Sequence, residues 1–492
     1  MMAATWRLSD AVDLESIMTG RLLFALSFVA LAAGLSAAAE PAKSVYFRSD
    51  LGLAANDKQA LPNSFDEKKA QLWRTPIAAG HSTPCVQGDS IFLTTFDSGK
   101  LGMVALERAT GKVRWTKPVP AKKIEEVHAS GSPATATPAA DGERVVFFFG
   151  SYGFLCYDHA GKLLWSREMG PFQDEFGAAS SPLLVDGKVI LNEDHDVDSF
   201  LACFDAKTGE PLWRTPRPDA VRSYSTPVVW TAGNRKTLVV TGALQLTGYD
   251  LANGRHLWTL PGLARIANTT PAQGAERLIV STWSPGGDPD SRISMEAWDV
   301  AQKMWDKNND GKLALAEVSN KEVLDRFFRI DINQDKTLDK GEWEKYAKVF
   351  ELARNSVMAL KPGSTELSAP EMVWEYGKAI PYVASPLLYR DVVWLVKDGG
   401  VLTTLDAKNG ELIKSGRLPG GGNYFASPVA GDGKVFFASD KGSLTILQAV
   451  GEWEVIATRE LGERCVATPV VADGRLFIRS EKAIYCFEPK AE

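Results

Sequence analysis

Two twelve-residue stretches place oxygen donors at the spacing a hard cation requires. The first, DKNNDGKLALAE from Asp306 to Glu317, satisfies the loop pattern D-x-[DN]-x-[DN]-G-x5-E at every specified position. Calcium takes about six to eight oxygens and tolerates irregular geometry. The spacing aims Asp306, Asn308 and Asp310 inward, adds the Lys312 carbonyl and closes with bidentate Glu317, while Gly311 allows the sharp turn. The second stretch, DINQDKTLDKGE, repeats the set as Asp331, Asn333, Asp335, the Thr337 carbonyl, Asp339 and Glu342. It departs at its sixth position, where Lys336 replaces glycine and a positive φ costs a side-chain-bearing residue roughly 1 kcal/mol. Its four carboxylates, against three in the first loop, work against that strain. The expectation is Ca2+ in both loops, held more weakly in the second.

Loops of this kind sit between helices, which makes the pair an EF-hand module. Met295, Trp298, Ala301 and Trp305 keep helical spacing before the first loop, and EWEKYAKVFELARN follows the second. Thirteen residues separate the loops, too few for two full helices and a linker, so one shared helix containing Leu324, Phe327 and Phe328 is expected. Leu313 is expected to pair with its counterpart in the second loop. Elsewhere, NEDHDVDSF gathers Glu193, Asp194, Asp196 and Asp198, either as a further cation site or, more plainly, as a solvated acidic loop. Arg217, Arg222 and Tyr224 are either ligand-binding groups or hydrogen-bonding ties between neighbouring units. His81, His128, His159, His195 and His256 show no metal-ligand spacing.

The elements that position these residues are set by a repeat. A Ser/Thr-Pro dipeptide starts a short apolar strand at Pro84, Pro138, Pro182, Pro227, Pro271, Pro386, Pro428 and Pro469, in steps of 54, 44, 45, 44, 115, 42 and 41 residues. Each unit continues through a turn, two β-rich runs and a Gly turn leading to a Trp. Gly111, Gly161, Gly209 and Gly254 lie four residues before Trp115, Trp165, Trp213 and Trp258. Short strands with turn residues at fixed offsets describe four-stranded propeller blades. The last unit lacks its Trp strand, and QLWRTP around Trp73 is an orphan strand that supplies it. The fold class expected is all-β: an eight-bladed β-propeller over 71–488, with the small α-helical EF-hand pair, about 284–354, inserted in blade five by the 115-residue step. Cys156, Cys203 and Cys486 occupy a repeat slot held elsewhere by Ala105, Gly248, Ala359 and Thr404, so they read as small packing residues; Cys85 takes a slot of the same sort, Cys465 has no assigned role, and one disulfide stays open.

These repeats resemble the pyrroloquinoline-quinone-like repeat propellers, a superfamily of quinoprotein alcohol dehydrogenases and BamB-like assembly factors. The resemblance covers 71–488, and the arm over 40–70 is similar to that of a bacterial subgroup whose members carry EF-hands. It implies either a scaffold or an enzyme, because the fold hosts both. A PQQ-dependent dehydrogenase of the alcohol-oxidising kind would bring adjacent cysteines, which do not occur here, and no residue marks itself as a catalytic base. The preferred reading is therefore a non-enzymatic, calcium-binding scaffold without PQQ, binding a protein or glycan of the cell envelope; the alternative is the quinoprotein dehydrogenase. A formal charge of -6 leaves no broad basic surface for nucleic acid. After Arg21, LLFALSFVALAAGLSAAA ends in Ala37 and Ala39 and reads as a secretion signal over 1–39, with translation starting at Met18 because Asp10, Asp13 and Glu15 suit a signal poorly. Cleavage would leave a periplasmic or secreted chain with no membrane span.

Overall fold

The computed structural model of the protein describes residues 45–274 and 276–489; the expected signal over 1–39 lies outside the described residues. Eight four-stranded antiparallel sheets form the blades of a propeller. Blade one runs Cys85–Gln87, Ser90–Asp97, Lys100–Glu107 and Val113–Pro118 from the inside outward, and the others follow the same order. The eighth sheet is completed from the other end of the chain: Gln71–Pro76 lies antiparallel to Ala483–Phe487, with Trp73 opposite Cys486. Among the described residues no helix is long and apolar enough to cross a membrane.

The repeated residues have specific partners. The small-residue slot lies directly across the strand pair from the blade's Trp, as in Cys156 with Trp165, Cys203 with Trp213 and Gly248 with Trp258. A side chain at Gly248 would collide with that indole. Five indoles pack on the Gly turn of the next blade, Trp73, Trp115, Trp165, Trp213 and Trp374 against Gly111, Gly161, Gly209, Gly254 and Gly410, which leaves those glycines little or no room for a Cβ, and all five hold positive φ. Trp115 Nε1 donates to the His159 carbonyl and Trp165 Nε1 to that of Ala206. All five cysteines are buried free thiols.

The Ser/Thr-Pro dipeptides join the blades on the inside. Thr83 N–H donates to Thr137 Oγ1 (3.0 Å), Thr137 N–H to Ser181 Oγ (2.9 Å) and Ser181 N–H to Thr226 Oγ1 (3.0 Å). The series resumes from Thr270 through Ser385 and Ser427 to Thr468. Across one end of this ring runs the N-terminal arm. Val45 bridges to Ala140 of blade two and Leu53 to Ala430 of blade seven, while the buried Arg48 guanidinium donates to the Pro386 and Pro428 carbonyls.

Blade five is interrupted between its second strand, Leu278–Thr282, and its third, Ser356–Lys361, which pair with each other despite the intervening chain. That chain forms helices α1 (Trp298–Trp305), α2 (Lys321–Leu324), α3 (Phe327–Ile330) and α4 (Lys340–Leu352). A two-stranded ladder joins Leu313 to Leu338 and Ala314 to Thr337. The single shared helix expected between the loops is instead two short ones, α2 and α3. Arg326 N–H turns to the Val323 carbonyl, three residues back, which breaks the helical ladder, and φ −126° at Arg326 redirects the chain. Phe327 is thereby buried while Phe328 is 48% exposed. Met295, expected at the start of the first helix, precedes it.

Candidate functional site

The nine side-chain donors of the expected cation loops are held by backbone amides. Asp306 accepts from the Asp310 and Gly311 N–H groups, Asn308 from Asp310, and Asp310 from Lys312 (2.9–3.1 Å). Glu317 reaches back to the Lys307 and Ala314 amides. The second loop repeats this: Asp331 accepts from Asp335 and Lys336, Asn333 from Asp335, and Asp335 from Thr337. Asp339 and Glu342 form a reciprocal capping box at α4, and Glu342 also accepts from the Ile332 and Asn333 amides. Lys336 sits at φ 70° where Gly311 has 84°. Two further residues, Asn309 and Gln334, also take positive φ, which the pattern alone did not flag. Lys312 Nζ lies 2.7 Å from Asp335 Oδ2, so the first loop places a cation on a donor of the second. Among the described residues, no three His, Cys, Asp or Glu side chains stand grouped for a metal ion.

The insert is fastened to the blade connections by buried charge. Arg217 makes a two-point pair with Asp194 (2.6 and 2.8 Å) and Arg222 a two-point pair with Asp196 (2.8 and 2.6 Å). Arg222 also reaches Glu175 (2.7 Å), which in turn receives Arg329 of α3 at 3.0 and 3.1 Å. Gln173 donates to the Ile332 carbonyl (2.6 Å), and Lys345 of α4 to the Pro218 and Ala220 carbonyls. Val221 and Ala243 join the insert's own apolar cluster around Trp343. The run NEDHDVDSF is solvated only at its tip, Val197 and Asp198, while Glu193, Asp194 and Asp196 are buried, and of the readings open for Arg217 and Arg222, ties between connections are what the structure forms. Burial lowers both guanidiniums, but their carboxylate partners outweigh it and hold them above the ordinary arginine value.

Three carboxyls here lack a cation. Burial raises Glu125 to about 7 and Asp174 to about 8, the latter despite the Tyr224 hydroxyl that donates to it (2.6 Å). Glu193 is pushed well above its ordinary range by burial, then by the charges of Asp174, Glu125 and Asp194. Sequence reading missed Glu125, Asp174, Glu175 and Arg329; they stand in blade connections and a helix with no motif, and only tertiary contact unites them. Next to this cluster, a cavity of about 230 Å³ lies on the ring of Ser/Thr-Pro hydroxyls, walled by aromatic rings including Phe47, Phe176, Tyr224 and Tyr382. His81 lines it and is kept neutral, lowered to about 3 by burial and by Arg464 and Arg479. Among the described residues no Arg, Lys, Asp or Glu lines it, so those residues offer no charged partner for the carboxylates of a quinone cofactor.

A protein-family model described as outer membrane protein assembly factor BamB matches residues 34–117, 57–200, 103–282 and 365–490, overlapping segments that break off at the insert and resume beyond it. Over 155 residues the chain is 31% identical to outer membrane protein assembly factor BamB of Burkholderia pseudomallei, a match spanning 31% of this chain and 36% of that protein. Among solved structures, BamB from Moraxella catarrhalis superposes with a TM-score of 0.51 at 11% identity, covering 85% of this chain and all of that one. A quinohemoprotein alcohol dehydrogenase from Comamonas testosteroni gives 0.51 at 14%, covering 86% and 77%. Identities this low show a shared fold and leave scaffold and enzyme undivided. The family match is different in kind, since it takes in most of the blades on both sides of the insert: the chain belongs to the family of outer membrane protein assembly factor BamB.

Proposed function

We propose that the protein is an exported, calcium-binding propeller that acts as a non-enzymatic scaffold of the cell envelope, holding a protein or glycan partner on the face that carries the insert. The observation that carries this reading is the fixing of the inserted module, through Arg329, Arg222 and Glu175, beside the mouth of the propeller of a BamB-family chain. The name of the relative in Burkholderia pseudomallei places that protein in outer membrane protein assembly, which supports an envelope setting here. The insert is an EF-hand pair on this reading. Asp306, Asn308, Asp310, the Lys312 carbonyl and Glu317 would hold one calcium, and Asp331, Asn333, Asp335, the Thr337 carbonyl, Asp339 and Glu342 the other. Hard oxygen donors and a Leu313–Leu338 ladder between loops support it. The quinoprotein alternative draws on the same fold, but the uncharged axial cavity does not fit a carboxylate-bearing quinone.

Calorimetric titration with calcium is expected to give two sites of unequal affinity. Glu317→Gln should remove the tighter, and no heat at millimolar calcium would overturn the module. Envelope partners should be captured by the parent protein in calcium and lost with a chelator. A quinone absorption band that survives desalting after incubation with the cofactor and calcium would favour the dehydrogenase instead.

A further inference from the structure

Beneath the insert, between the connections leading into blades two, three and four, lies a cavity of about 430 Å³ whose walls include Glu125, Asp174, Glu175 and Asp196. That volume falls in the range of small-molecule sites, about 300–1,000 Å³. Its electrostatics do not close within the chain. Five acidic residues line it, Glu125, Glu126, Asp174, Glu175 and Asp196, with the buried Glu193 and Asp194 beside them, and the three guanidiniums among them are spoken for. Arg217 is held by Asp194, Arg222 by Asp196 and Glu175, and Arg329 by Glu175. Glu125, Asp174 and Glu193 keep no cation of their own. Asp174 has the Tyr224 hydroxyl and the Phe176 amide. Glu125 lines the cavity, is only 7% exposed, and neither of its carboxyl oxygens has a hydrogen-bond partner, the nearest helpful dipole being the Ala178 amide. Glu193, 3% exposed, leaves Oε1 equally unpartnered.

Unpartnered oxygens on Glu125 and Glu193 converge with Asp174 on one region, and because burial by itself favours the protonated acids, a positive ligand with N–H donors is what would both satisfy and ionise them. A further feature fixes its class. The wall also carries two aromatic rings, Phe172 and Phe328, the second 48% exposed at the rim, as suits a cation with an apolar stem. Lys123 and Arg222 line the cavity as well; Arg222 is paired, and Lys123 stands exposed at the edge. We propose that this cavity binds an alkylammonium or guanidinium group, with Glu125 and Asp174 as its carboxylate acceptors and Phe328 covering its stem. The occupant is either a free polyamine or the side chain of a basic residue on a partner. The proposal stands whether or not the insert loops hold calcium.

The test is titration of the full-length protein, in millimolar calcium and amine-free buffer, with spermidine and separately with N-acetyl-lysine methylamide. Saturable binding of at least one probe is expected, and Glu125→Gln and Asp174→Asn should each weaken it by about tenfold or more, as loss of a charged acceptor does. Phe328→Ala, a change at the exposed rim that leaves the core intact, should weaken it by a smaller factor and covers the case in which the buried variants fail to fold. Spermidine alone binding identifies a free polyamine; the lysine amide binding identifies a partner side chain. Absence of binding for both at about 10 mM, beyond any useful affinity, overturns the proposal. So does affinity unchanged in Glu125→Gln and Phe328→Ala, or a third calcium that Glu125→Gln removes and that amines do not displace.

Discussion

Burial lifts Glu125 to about 7 and Asp174 to about 8, and the sign of the consequence is fixed by linkage. A carboxyl whose folded value lies above its unfolded one holds its proton more tightly when folded, so stability falls as pH rises through the interval between the two values. Below that interval both states are protonated and the contribution is constant. His81, lowered to about 3, acts oppositely below its ordinary value, so the informative quantity is the difference between variant and parent. Glu125→Gln is expected to gain stability relative to the parent as pH rises from about 4.5 to about 7 in amine-free buffer, by up to about 1.4 kcal/mol per pH unit, and to gain no more above that. Parallel melting profiles would contradict the assignment. A second residue-scale expectation concerns Lys312, whose ammonium occupies Asp335. Lys312→Met keeps the backbone carbonyl assigned to the first loop and should tighten calcium at the second loop several-fold, and a calorimetric trace with an unchanged weaker site would rule out the competition. Neither feature was visible in the sequence. Asp194 and Asp196 read as a solvated run because their partners, Arg217 and Arg222, lie 23 and 26 positions away on another connection.

At the scale of elements, the repeat made the blades legible because each marker has a physical task. The Gly turn receives the neighbouring indole, the Trp caps it, and the small slot makes room across the strand pair. The task of the Ser/Thr-Pro hydroxyl was not legible, since its acceptor role toward the preceding blade's amide exists only once the ring has formed. The insert was readable as loops and as two flanking helices, but not as the broken α2–α3 pair, because helical spacing does not register the turn at Arg326. Nor did it show where the module rests. That contact shapes what calcium should do: the insert shares its apolar cluster with Val221 and Ala243, so loosening it strips cover from the connection between blades three and four. Ligand binding to the folded form alone stabilises it by about 2.7 kcal/mol at a hundredfold excess over Kd. Limited proteolysis in chelator is therefore expected to cut within 284–354 and, with longer exposure, near 217–227, with both protected by calcium. Equal cleavage with and without calcium would tell against ordering by the ion.

The whole molecule depends on one joint that the chain closes with its two ends. The strand Gln71–Pro76 lies outside Ala483–Phe487, and three contacts carry it across to blade one or back into blade eight: Trp73 Nε1 to the Arg108 carbonyl, Thr75 Oγ1 to the Gly111 carbonyl at 2.7 Å, and Arg74 to Glu463 at 2.9 Å. On the inner side the buried Arg479 of blade eight donates to Ser82 and to the Thr94 carbonyl of blade one. Every other joint joins strands that follow one another in the chain, so its loss leaves the blades tethered. This joint joins residues some four hundred positions apart, and opening it leaves the ends of the ring held by the inner Arg479 contacts and by the arm. Replacing residues 71–76 by a Gly-Ser linker of equal length keeps the arm over 45–70 attached while removing the strand, its backbone pairing and the indole. Truncating an aromatic of this kind alone costs up to about 3 kcal/mol, and the exposed edge of Ala483–Phe487 adds to that. The linker variant should melt well below Trp115→Ala, which loses the same kind of indole inside an intact ring. Its amides should exchange first in blades eight and one, over 475–487 and 85–118. A linker variant that melts with the parent, or that loses protection evenly around the ring, would show that the ring does not depend on this strand for closure.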